Sequence, residues 1–91
     1  MEIQRSSRVD KRYIAIFENE LNPIHFGQRG SRTYVDHHDK VLRANYIARH
    51  RVNEDWTRIN AGSLSRFILW GYSTDINKNI AFYKKKFKLK D

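Results

Sequence analysis

Cysteine is absent from this 91-residue chain. Disulfides and thiolate metal sites are therefore excluded, and a reducing compartment is permitted. Proline occurs once, alongside five Phe, five Tyr and two Trp. That is not the composition of a disordered chain, despite a charged fraction of 31% and a mean hydropathy of -0.80. Long apolar runs are missing too: stretches such as Phe67-Ile68-Leu69-Trp70 are far too short to span a membrane. The N-terminal MEIQRSSRVDKR has no apolar stretch of the kind a signal peptide carries. Acidic residues are scarce, 10 against 18 Lys+Arg, which leaves a net charge of +8. So large a surplus directs attention to nucleic acid, phosphorylated surfaces or an acidic protein face as partners; with no apolar span, no membrane partner is expected.

The length supports one hydrophobic core. We expect a flexible segment over residues 1–10, a single small basic domain over 11–91, and a loose end from about residue 88. Lys11 to Phe17 reads as a strand rich in β-branched and aromatic residues, and Ile24-His25-Phe26 reads as its hairpin partner. After a loop over Gly27 to Thr33, Tyr34 and Val35 extend a strand. A helix then runs from Asp36 or His37 to about Val52, with Asp36 as N-cap and Asp39 in its first turn. Asn60 to Ser63 caps a short, strongly apolar helix, Leu64 to Trp70, closed by Gly71 at C′. Ser73 or Thr74 caps the last helix, where Ile76, Ile80, Tyr83 and Phe87 fall on one stripe. The expected fold is α+β, an N-terminal β-hairpin followed by three packed α-helices.

The most charged stretch is HFGQRGSRTYVDHHD, residues 25–39. His37 and His38 are adjacent and diverge on a helix, and neither HExxH nor an i, i+4 histidine pair is present. No metal and no cofactor is expected, and no residue is assigned a catalytic role. The GQRGSR loop lacks the GK[ST] of a Walker A loop, yet its glycines expose backbone N–H groups and its arginines fork onto phosphate. With Arg29 and Arg32 of that loop, Arg43, Arg49 and the C-terminal lysines Lys84, Lys85 and Lys88 make the expected nucleic-acid-binding set. The terminal run adds Lys86 and Lys90. His25, His38, His50 and Arg66 form a possible polar site. Convergence of His25, His38 and His50 on Asp39 or Glu54 is the arrangement a histidine-based phosphoryl-transfer or nuclease-like enzyme would require.

HFGQRG (25–30), Tyr34, His38, Arg43, Tyr46, Arg49-His50, Glu54-Asp55-Trp56, AGSLSRFILW (61–70) and YKKKF (83–87) resemble a small domain-of-unknown-function family. That family belongs to large nucleocytoplasmic DNA viruses of algae and protists. The resemblance runs from about Lys11 to Leu89, with AGSLSRFILW its most specific part. It implies a viral product of the host cytoplasm (virus factory) or of the virion, and it carries no catalytic residues. Its polar positions here, His25, Tyr34, His38, Arg43, Arg49, His50, Trp56 and Arg66, form one site or one buried polar network. The expected function is phosphate-directed nucleic-acid binding with little sequence specificity. The alternative is a minor structural (capsid or core) protein of the virion that binds acidic protein surfaces.

Overall fold

A computed structural model describes residues 1–89 of the chain. Three antiparallel strands come first: β1 (Glu2–Arg5), β2 (Lys11–Ile16) and β3 (Ile24–Gln28), in the order β1-β2-β3. Tyr13 pairs with Phe26 and Ala15 with both Ile3 and Ile24, so these residues share one face of the sheet. That face enters the core, where Ala15 and Phe26 are fully buried. Ile14 and Ile16 point to the other face and are half-buried.

The expectation of a loose segment over residues 1–10 gives way to β1. Its signal is weak because Ile3 is its one inward apolar side chain, which leaves no alternation to read. Backbone pairing with β2 and burial of Met1 hold it. Arg29 locks the turn that follows. Its guanidinium donates to the carbonyls of Ser6 (3.1 Å), Arg8 (3.0 Å) and Lys11 (3.0 and 3.2 Å).

Tyr34 and Val35 are helical, contrary to the extended reading, and the single helix expected over residues 36–52 is two. One turn, α1 (Tyr34–His37), ends at His38 in the left-handed region (φ 58°), and α2 runs from Lys40 to His50. The break comes from two start signals six residues apart. Thr33 caps α1, its backbone N–H reaching the Asp36 carboxylate at 2.7 Å, so Asp36 lies inside that turn. Asp39 is the true N-cap of α2 and accepts from Val41 N (2.9 Å) and Leu42 N (3.1 Å).

The apolar segment after Asn60 begins as α3 (Ala61–Leu64) and continues as a π-helical turn, Ser65–Leu69, closed by Trp70 N to Ser65 O at 3.0 Å. Leu64, Ile68 and Leu69 are buried at the centre of the core, as their density predicts. Gly71 is needed for space and not for a left-handed backbone. A Cβ there would collide with the carbonyl of Phe67 and lie 2.6 Å from Asn79 Cγ. The last helix, α4 (Ile76–Lys86), is capped by Asp75, which accepts from Asn77 N at 2.9 Å, rather than by Ser73 or Thr74. Its stripe is as expected: Tyr83 is fully buried, with Ile76, Ile80 and Phe87 packed on the core. The fold is α+β, a small antiparallel sheet followed by helices. Lys90 and Asp91, part of the expected basic run and loose end, lie outside the described residues.

Candidate functional site

A cleft of about 800 Å³ opens between the sheet on one side and α2 and α3 on the other. Lys11 and Gln28 come from the sheet, Arg32 from the loop after it, and Arg49 and His50 from the last turn of α2. Asn60, Gly62 and Ser65 line the facing side. Lys11, Arg32 and Arg49 make no ion pair and no side-chain hydrogen bond among the described residues, so their charges are available to a ligand.

The wall of this cleft is an aromatic column. Tyr46 lies flat against Trp70, with ring centroids 4.3 Å apart and planes 5° from parallel. His50, one helical turn beyond Tyr46, stacks on its other face at 4.1 Å. His37 closes the Trp70 end edge-on at 5.3 Å. Burial pushes the Tyr46 phenol well above its ordinary pKa, and the nearby Glu54 charge adds to the effect. Glu54 fixes the open end: one carboxylate oxygen accepts from His50 Nδ1, and the other accepts from Trp56 Nε1 at 3.0 Å. Gly62 makes room for that carboxylate, since a Cβ there would stand 2.5 Å from Glu54 Oε1.

The other arginines of interest are committed to the fold. Arg43 donates from Nε to the carbonyls of Gly71 (2.8 Å) and Trp70 (3.3 Å), and its guanidinium lies over Tyr34 at 5.4 Å. Arg66 donates to Trp70 O at 2.9 Å and lies over Trp56 and Phe67. Desolvation, then the Arg43 charge, pulls the Arg66 guanidinium below its usual pKa. Arg29 is occupied in the β1–β2 turn, where it borders a smaller basic concavity of about 220 Å³ with Arg5 and Arg12. Lys84 and Lys88 line separate clefts near Met1 and Phe17, and Lys85 is exposed on α4. Of the seven residues expected to bind nucleic acid, the structure brings Arg32 and Arg49 together in the main cleft and leaves the others elsewhere.

His25, His38 and His50 do not converge. His25 Nδ1 is hydrogen-bonded to Ser6 Oγ at 2.6 Å, His38 is exposed between α1 and α2, and His50 alone of the three lines the cleft. Among the described residues, no three His, Asp or Glu side chains cluster as metal ligands. No described helix is long and apolar enough to cross a membrane. Of the eight polar positions singled out in the sequence, Tyr34, Arg43, His50, Trp56 and Arg66 form one network around Trp70 and Glu54. Sequence reading missed Lys11 and Tyr46 as site residues, and named Glu54 only as a carboxylate for converging histidines; of those histidines His50 alone reaches it. The one available signal was the i, i+4 spacing of Tyr46 and His50, which places both on one line of α2; Glu54 lies beyond the end of that helix.

Residues 1–50 match a family of unknown function (DUF5754). The chain belongs to that family. The matched region contains the whole sheet, α1, α2 and the cleft cations Lys11, Arg32 and Arg49, and it ends before AGSLSRFILW. The family's description names no activity, in keeping with the uncharacterised family expected from the sequence. No curated protein and no solved structure matches the chain.

Proposed function

We propose that this protein is a non-enzymatic nucleic-acid-binding module that holds phosphates in the cleft between sheet and helices, with little sequence specificity. The observation that carries this reading is the trio Lys11, Arg32 and Arg49, without an ion pair among the described residues and set in one cleft of about 800 Å³ on a chain of charge +8. The two clusters favour different outcomes. If the cleft binds, Arg32→Glu with Arg49→Glu abolishes binding, whereas Lys84→Glu, Lys85→Glu and Lys88→Glu together weaken it only as a general loss of charge does. Fluorescence anisotropy with labelled single-stranded DNA, RNA and duplex DNA at two salt concentrations reads this directly. Three phosphate contacts to a single strand imply that affinity falls about 15- to 20-fold for a fourfold rise in salt. Binding no tighter than that of an unstructured cation of equal charge, indifferent to both sets of substitutions, refutes the reading.

We further propose, from the resemblance to proteins of large DNA viruses, that this binding takes place in a host cytoplasm or inside a virion. A second reading, a minor capsid or core protein, draws on one feature: Tyr72 and Phe82 are exposed side by side, ring centroids 5.4 Å apart. Retention of virion-protein binding after Arg32→Glu and Arg49→Glu, with loss on Tyr72→Ser and Phe82→Ser, would favour it.

A further inference from the structure

The column Trp70–Tyr46–His50 has one finished end and one open end. At Trp70 the edge of His37 caps the stack, and Tyr46 in the middle is buried. At the other end the His50 side chain keeps 38% of its surface exposed within the cleft, although Tyr46 covers one of its faces. An exposed imidazole at a helix end ordinarily samples several rotamers. This one is held from two sides, by the stack on Tyr46 and by the hydrogen bond to Glu54. Glu54 is in turn anchored by Trp56 Nε1 and seated against the bare backbone of Gly62. The result is an imidazole fixed in orientation, stacked on one face, and lining an 800 Å³ cleft, with Arg49 next to it in sequence and Arg32 and Lys11 on the same cleft.

We propose that the outer face of His50 is a stacking platform for an unpaired nucleobase, so that the ligand of the cleft is a single strand rather than a duplex. This rests on the nucleic-acid reading above. A base laid on His50 continues the column by one ring, and the phosphates on either side of it meet Arg49 and Arg32. Bases in a duplex have both faces covered by their neighbours and cannot enter such a stack without being unpaired. Every base presents a π face, so the platform is indifferent to sequence.

The test compares three ligands on the full chain at low salt: a labelled oligothymidylate of roughly 12 nucleotides, an abasic sugar-phosphate strand of the same length, and the corresponding duplex. The base-bearing strand should bind tighter than the abasic strand by about fivefold to a hundredfold. His50→Ala should remove that advantage while leaving abasic binding unchanged, and His50→Phe, which keeps a ring, should retain it. A 2-aminopurine placed in the strand should be quenched on binding to the wild type and to His50→Phe. If His50→Ala fails to fold by circular dichroism, the wild-type comparison and His50→Phe still decide. Equal affinity for base-bearing and abasic strands, or a duplex bound as tightly as the single strand, overturns the platform and leaves phosphate binding standing. Binding of none of the three beyond an unstructured cation of equal charge overturns both.

Discussion

Asn79→Asp exchanges one NH₂ group for one oxygen at a fully buried position, with almost no change in volume. In the wild type Nδ2 donates to Ile68 O at 2.9 Å and Ser73 O at 2.8 Å, and Oδ1 accepts from Ser73 N at 3.1 Å. These bonds tie α4 to the end of the π-helical turn and to the loop over 71–75. A carboxylate keeps the acceptor and turns its second oxygen towards two carbonyl oxygens, so both donations are lost and a buried charge faces two negative dipoles. A protonated carboxyl restores one donation, so the loss at low pH is about 1–2 kcal/mol. Desolvation and the facing carbonyls raise the folded-state pKa of the new group above its unfolded value of about 3.9. A raised folded pKa means that the native state binds more protons than the unfolded state above pH ~4, so stability falls with rising pH, by about 1.4 kcal/mol per pH unit until the folded pKa is reached. The loss near neutrality should therefore reach about 3–5 kcal/mol, a large share of the stability of a small domain. Urea unfolding followed by the fluorescence of Trp56 and Trp70, at pH near 4 and near 7, measures both numbers. A variant within about 0.5 kcal/mol of wild type near neutrality, or a deficit that does not change with pH, would refute the reasoning.

Two further substitutions separate the fold from the site. Burial alone would raise the Asp36 pKa, but hydrogen bonds from Arg12 (2.7 and 3.1 Å) and from the Thr33 N–H and hydroxyl prevail and hold it at about 2. A depressed folded pKa contributes stability above the unfolded value and loses it as pH falls from about 4 to about 2, here about 1–2 kcal/mol after allowing for solvent at the pair. Asp36→Asn should flatten that acid limb in pH-dependent unfolding, and parallel curves for variant and wild type would contradict it. Arg29→Gln should lower stability by about 1–2 kcal/mol, because the β1–β2 turn loses its three-carbonyl clamp. Its affinity for single strands should drop no more than the loss of one remote charge requires. An affinity loss as deep as that of Arg49→Glu, with stability unchanged, would return Arg29 to the binding surface.

Patterns with a local period were legible without coordinates. The alternation in β2, the i, i+4, i+7, i+11 stripe of α4 and the density of apolar residues around Ile68 each place a side chain on a face by helix or strand geometry alone. The α+β class and the three-dimensional position of the core follow from those periods. Elements held by something other than periodicity were not legible: β1 has one inward apolar residue, His38 interrupts α1 and α2 because two N-caps compete, and a π turn replaces an α turn before Trp70. The basic site divides the same way. Charge and composition point to arginine and lysine as the groups proposed to bind, but a guanidinium that reaches a carbonyl 20 or more positions away leaves no mark on the sequence around it. Arg29 reaches Ser6 and Arg43 reaches Gly71 by such contacts, whereas Arg32 and Arg49 line the cleft and make no ion pair or side-chain hydrogen bond among the described residues. Sequence determined that this protein carries a large excess of positive charge on a small aromatic core. Tertiary structure alone decided which charges the fold uses up and which it leaves facing the cleft, since that depends on distances between elements far apart in the chain.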